Sequence, residues 1–206
     1  MRNHGGFLFP LFEDGLVKSS TMKISNTSKS ISNQFLQLDL FDFFAAAEYV
    51  KNLPYKRNSQ KDNPLSVFQD SGGTCSTKHA LLKRLADENS FEELKLMLGI
   101  FKMNGSNTRK ITPILEKYSL KEIPEAHNYL KIENQIFDFT RKNSKPEDFI
   151  NDLIEEIEIQ PEQIIDFKIN YHKNFLKKYL KENPQIPYNL VEFWKIREEC
   201  IAELQK

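Results

Sequence analysis

One short stretch constrains this chain more than any other: Ser71-Gly72-Gly73-Thr74-Cys75-Ser76-Thr77-Lys78-His79-Ala80-Leu81-Leu82. Two glycines interrupt whatever precedes them, a threonine stands where a helix is capped, and a cysteine comes first inside the helix. Leu81, Leu82, Leu85 and Ala86 then carry that helix into a core, to about Asn89. A thiol at a helix N-terminus faces unpaired N–H groups and the positive end of the helix dipole, and both favour the thiolate. An ordinary thiol, with a pKa near 8.5, is only ~3% ionised at pH 7, so this placement matters for reactivity. Cys75 reads as a nucleophile, and the question becomes whether the chain supplies its partners.

The second informative stretch is His127 to Thr140. His-Asn-Tyr-Leu-Lys-Ile and Gln-Ile-Phe-Asp-Phe-Thr flank Glu133-Asn134, which predicts a β-hairpin on a two-residue turn. Residue 127 then pairs with 140, 129 with 138 and 131 with 136. His127, Tyr129, Asp138 and Thr140 share one face; Leu130, Ile132, Phe137 and Phe139 share the other and must be buried. His127 and Asp138 become diagonal neighbours with Cα atoms ~7–8 Å apart. One residue more or less in the turn would put them on opposite faces.

Acyl transfer by a thiol needs a nucleophile, a base, a group that orients the base, and donors for the oxyanion. Cys75, His127 and Asp138 fill the first three roles in chain order. The Cys75 N–H is one oxyanion donor. Gln69, six residues upstream, is either a side-chain donor or an ordinary loop residue. His79, four residues after Cys75 on the same helical face, reads as a residue packed behind it. Cys75 and His79 have no second ligand pair at metal spacing, so no metal is expected. Cys200, in an amphipathic helix, reads as packing.

Taken together, Gly73-Thr74-Cys75 opening a helix, a later His127 followed five residues on by Ile132, and Asp138-Phe139-Thr140 on the next strand resemble the transglutaminase-like branch of the papain-like fold. The resemblance covers about residues 65–141. It implies Cys75 as nucleophile, His127 as base and Asp138 as its partner, and it implies a cysteine helix packed on a small antiparallel sheet. The six-residue gap from Gln69 to Cys75 is similar to that of the papain oxyanion glutamine.

The remaining chain fills in around this core. Residues 1–33 read as an irregular, mobile or loosely docked arm, and Met22 is an alternative start. Phe7-Leu8-Phe9-Pro10-Leu11-Phe12 is too short and proline-broken for a signal peptide. Residues 34–206 read as one domain. Gln34 to Asn52 predicts a helix stopped by Pro54, Leu94 to Met103 a strand buried on both faces, and Thr112-Pro113 a short helix to Tyr118. About 145–206 reads as a helical extension: Pro146 opening a helix through Phe149, Ile150, Leu153, Ile154 and Ile157, Pro161 opening another to Glu182, and Asn189 capping the last. Trp194, Arg197, Glu198 and Glu199 in that last helix either pack with solvent-side charges or cover the cleft. The fold class is α+β, a papain/transglutaminase-like core with extra C-terminal helices.

The 206 residues carry 29 basic and 29 acidic side chains, so bulk charge points to neither nucleic acid nor an anionic membrane. No apolar run reaches the ~18 residues that span a bilayer. Cysteines number only 2, which argues against a disulfide scaffold and for the reducing cytoplasm. The expectation is a cytoplasmic thiol enzyme, hydrolase or acyltransferase, acting through an acyl-enzyme on a peptide, protein or small amide, with no cofactor. Oligomeric state is left open. The alternative is a non-catalytic binding or scaffold module on the same fold. Cys75 is expected to be alkylated far faster than Cys200 near neutral pH, with His127→Ala abolishing the difference; peptide mapping after iodoacetamide treatment measures both.

Overall fold

The computed structural model describes residues 22–25 and 27–205. The proposed arm at 1–21, its proline-broken apolar run included, lies outside the described residues. The rest of the region assigned to the arm is not irregular throughout. Helix α1 (Ser30–Leu36) begins within it, and Ile24, Ile31 and Ser32 are buried. Glu88 explains the docking, because its carboxylate accepts from the Ile31 and Ser32 N–H groups and from the Ser32 hydroxyl.

The single helix expected at 34–52 is two. Asp39 takes a left-handed backbone at φ 58°, the Leu40 N–H folds back to the Phe35 carbonyl at 3.1 Å, and Asp42 caps a new helix, α2 (Phe43–Asn52), through the Phe44 and Ala45 N–H groups. After the 54–64 loop come α3 (Ser66–Gln69) and the cysteine helix α4 (Cys75–Glu88). Strand β1 (Leu94–Asn104), α5 (Thr112–Lys117), β2 (Glu122–Ile132) and β3 (Gln135–Phe137) follow.

The segment after Pro146 corrects the helix expected there. Two 3-10 turns, 146–148 and 150–152, lead into strand β4 (Leu153–Ile159). Leu153-Ile154-Glu155-Glu156-Ile157-Glu158-Ile159 fits helical spacing on its apolar residues alone, but it is rich in β-branched residues and β1 offers it a free edge. Glu156 is met there by Tyr129 and Lys131, Glu155 by Tyr171 and Glu158 by Lys95. A 3-10 turn at 161–164, then α6 (Asp166–Glu182) and α7 (Leu190–Glu203), complete the chain. α7 is capped by Asn189, with Glu192 reaching back to the cap.

The fold is α+β. Its four antiparallel strands run in the order β3-β2-β1-β4. Side chains of α1, α2 and α4 pack with Leu94, Leu96, Leu98 and Ile100 of β1 and with Leu130, Ile132 and Phe139. The opposite face carries Met97, Phe101, Met103 and Tyr129 under residues of α5, α6 and α7. Both faces of β1 are therefore covered, as its unbroken apolar run requires. No described helix is long and apolar enough to cross a membrane.

Gly99 sits opposite His127 in the β1–β2 register. A Cβ there would lie 2.7 Å from Leu153 Cδ1 and 3.1 Å from the Tyr129 ring. The missing side chain leaves room for that ring, which stacks against His127. Gly99→Val is expected to destabilise the protein by ~1–3 kcal/mol through overpacking, measured by urea unfolding; unchanged stability would mean that the ring and Leu153 yield freely.

Candidate active site

The cysteine turn is built by close backbone approach. Ser71 is left-handed at φ 50°, and Gly73 forms a parallel bridge with Tyr55, its N–H donating to the Pro54 carbonyl at 3.1 Å. A Cβ on Gly73 would lie 2.7 Å from Thr77 Oγ1, so only glycine fits. Thr74 and Thr77 cap reciprocally: the Thr74 N–H donates to Thr77 Oγ1 at 2.9 Å and the Thr77 N–H to Thr74 Oγ1 at 3.4 Å. Thr77 Oγ1 in turn donates to Asn58 Oδ1, and Asn58 Nδ2 donates to the Gly72 carbonyl, bracing the turn from the 54–64 loop. Cys75 thereby becomes the first residue of α4.

Of the three pairs expected, Lys131 opposite Ile136 forms, with Glu133 left-handed at φ 50° in the turn; 129–138 and 127–140 are not strand pairs, because the ladder ends at Phe137. β3 stops at Phe137, so Asn128 has no β3 partner and its N–H faces the Cys75 sulfur instead. His127 Nε2 lies 3.1 Å from Asp138 Oδ2, and Asp138 Oδ1 accepts the Thr140 N–H at 2.9 Å. With Nε2 held by the carboxylate, Nδ1 is the nitrogen left for the thiol. Phe149 and Tyr129 flank the imidazole at ring separations of 4.8 and 6.1 Å.

Burial opposes charge on all three side chains, and their neighbours overcome it. The Cys75 thiol is pushed up by burial but brought down to about 6 by the Lys168 ammonium first, then by His127 and the Asn128 N–H. His127 is lowered by burial and raised more strongly by Asp138, then by Cys75, to about 10. Burial raises the Asp138 carboxyl, yet His127 and then His79 hold it well below the usual carboxylate range. The shifts run in opposite directions, the thiol down and the imidazole up, so the pair favours thiolate with imidazolium near neutral pH.

Lys168 is the residue that sequence reasoning missed. It comes from α6, 93 positions after Cys75 and 8% exposed. Its Nζ donates to Asn128 Oδ1 at 2.7 Å and Ser76 Oγ at 2.8 Å, and lies 3.8 Å from Cys75 Sγ. Burial lowers its own affinity for the proton, while Cys75 and Glu125 restore part of it. Nothing local in the sequence marks it, because it resembles its neighbouring surface lysines.

His79 is fully buried behind the cysteine. Its Nδ1 donates to the Cys75 carbonyl and its Nε2 accepts the Phe139 N–H, each at 2.8 Å. That fixes one neutral tautomer, and burial lowers the ring to about 4. The 3.7 Å approach of Nε2 to Asp138 is therefore no ion pair. His79 ties the start of α4 to the segment that carries Asp138. Buried Lys78 does the same, donating to the Leu53 and Thr140 carbonyls. Gln69 is not brought in: it is exposed on α3, accepts from Asn63 at 2.9 Å, and does not line the cleft.

Cys75, His127 and Asp138 open onto a narrow cleft of about 60 Å³. Tyr55, Phe101, Phe149 and Arg141 line it, and Ile201 and Leu204 close it from the end of the chain. Arg197 anchors that end by a bidentate ion pair with Glu125, two residues before His127 on β2. Trp194 lies beside it against His172 and the Arg197 guanidinium. Trp194, Arg197, Glu198 and Glu199 do not line the cleft; it is Ile201 and Leu204 of the same stretch that form its wall. Among the described residues no group of three or more His, Cys, Asp or Glu side chains could hold a metal ion. Comparison of the chain with protein families, curated proteins and solved structures returned no match.

A thiol with a depressed pKa reacts above that pKa and falls silent below it, so the rate of Cys75 alkylation should rise through a midpoint near 6. The charged or titratable groups around the sulfur are Lys168 from α6, His127 from β2, Asp138 behind it, Lys78 from α4 itself and Tyr55 from the loop. Lys168→Met is expected to move the midpoint up by about one unit or more, towards the ~8.5 of a free thiol, while Lys168→Arg retains most of the depression. A midpoint that stays put in Lys168→Met would exclude a charge effect from this residue.

Proposed function

We propose that this chain is a thiol acyl-transfer enzyme of transglutaminase-like type, acting on an amide or peptide through an acyl-enzyme on Cys75. The observation that carries the reading is the thiol at the mouth of α4 facing an imidazole whose other nitrogen is bound to Asp138 at 3.1 Å. In this reading the Cys75 thiolate attacks the carbonyl carbon and the oxyanion forms beside the Cys75 N–H. Tyr55 is the side-chain donor at hand: it lines the cleft, and burial, then the nearby Cys75 and Glu125 charges, keep its phenol protonated. Imidazolium Nδ1–H passes its proton to the departing amine, leaving a thioester. His127 then takes a proton from the incoming water or amine, which attacks the thioester and regenerates the thiolate. Asp138 holds the ring in one orientation and stabilises its cationic form throughout.

The second reading, a non-catalytic binding or scaffold module, is favoured by the narrowness of the cleft and by a Cys75 only 9% exposed. Cellular function that survives Cys75→Ser would support it.

p-Nitrophenyl acetate serves as an activated acyl donor. A burst of one nitrophenolate per chain, with an acetyl mass on the Cys75 peptide, is the expected outcome. His127→Ala should slow acylation by ~10²–10⁴-fold, and Cys75→Ala should remove the burst. A burst that persists in Cys75→Ala would sink the enzyme reading.

A further inference from the structure

Among the described residues, Arg141 is the cationic side chain lining the cleft that has no ion-pair partner. The acidic side chains of the cleft are each engaged: Glu125 by Arg197, Asp138 by His127 and the Thr140 N–H, and Asp148 by the Lys145 N–H at 3.2 Å. Arg141 also lines the cleft, with its guanidinium 5.7 Å over the Tyr55 ring. Among the described residues no carboxylate stands within ion-pair distance of it. A guanidinium resting on a ring keeps its in-plane N–H fork for a planar anion.

The adjacent residue supplies a second, independent observation. Thr140 lines the same cleft and is 4% exposed; its hydroxyl makes no hydrogen bond of normal geometry, though it lies close enough to Asp138 to help hold that carboxyl ionised. A buried hydroxyl so poorly paired is one that a bound acceptor would satisfy better. The aromatic walls, Tyr55, Phe101 and Phe149, make the cleft less polar than open solvent, which strengthens a charge–charge contact made between them.

We propose that the cleft takes substrates whose acyl portion carries a carboxylate, gripped by the Arg141 guanidinium with the Thr140 hydroxyl as a further donor. The assignment rests on the acyl-enzyme reading and specifies its substrate class: an acidic acyl donor in preference to a neutral or basic one. Thr140 and Arg141 stand two and three residues after Asp138, so the segment that orients the base also selects the substrate.

Iodoacetate and iodoacetamide test this without knowledge of the natural substrate, because both alkylate a thiolate with loss of iodide and differ in one carboxylate. Their second-order rates at Cys75 are measured by mass spectrometry at low salt. Lys168 and imidazolium also attract iodoacetate, so the decisive quantity is the change in the iodoacetate-to-iodoacetamide ratio between variants. Arg141→Gln is expected to lower that ratio about tenfold, the scale of one hydrogen bond to a charged group, and Arg141→Lys to restore part of it. Thr140→Val is expected to lower the ratio a few-fold. An unchanged ratio in Arg141→Gln would overturn the carboxylate site while leaving a rapidly labelled Cys75 intact. Equally slow labelling of Cys75 and Cys200 by both reagents would overturn the acyl-enzyme reading and this site with it.

Discussion

The strand register of one short hairpin decides whether the imidazole and the carboxylate meet beside the sulfur. Side chains alternate across a sheet, so Lys131 opposite Ile136 is what allows His127 and Asp138 to meet at 3.1 Å. The register is itself fixed by burial. Leu130, Ile132 and Phe139 belong to the core under α4, with Phe137 packed against it, and a slip by one residue would turn all four away. The apolar face of the hairpin holds its polar face in place, and the geometry of the candidate site follows from core packing on the other side of the same strands.

Termination of β3 after three residues matters as much as its register. Had the strand continued, it would have covered the stretch of β2 around Asn128 that now meets the N-terminus of α4. Two elements share that edge: a strand pairs with its far part, and a helix end with its near part. His79 and Lys78 weld the junction, since each reaches from α4 to main-chain groups at Phe139 or Thr140. Buried charge is tolerated here because each ionised group has a partner: Lys168 with Asn128, Ser76 and the sulfur, Glu125 with Arg197, Asp138 with His127.

The cysteine turn and the hairpin were legible because their signals are local. Glycines, a capping threonine, alternation about a two-residue turn and a doubly apolar strand each report on a few neighbouring residues. The helix expected after Pro146 failed for the converse reason. Phe149, Ile150, Leu153, Ile154 and Ile157 satisfy helical and extended spacing alike, and the decision belonged to the edge of β1, a partner about fifty residues away. The break at Asp39 turned on one left-handed residue that periodicity does not register. Gln69 illustrates the limit of spacing taken alone: six residues from the cysteine, it is turned towards Asn63 by its own short helix. Lys168 could not be found from sequence at all, since its role exists only once α6 lies across Ser76 and Asn128.

That last dependence has a consequence for the life of the polypeptide. Cys75 leaves the ribosome long before Lys168 does, and until α6 docks the sulfur lacks the ammonium that most favours its ionised form. On the proposed reading, a nascent or partly folded chain therefore carries a sulfur less ionised than that of the finished fold, and its nucleophilic character arrives late, as a product of finished assembly.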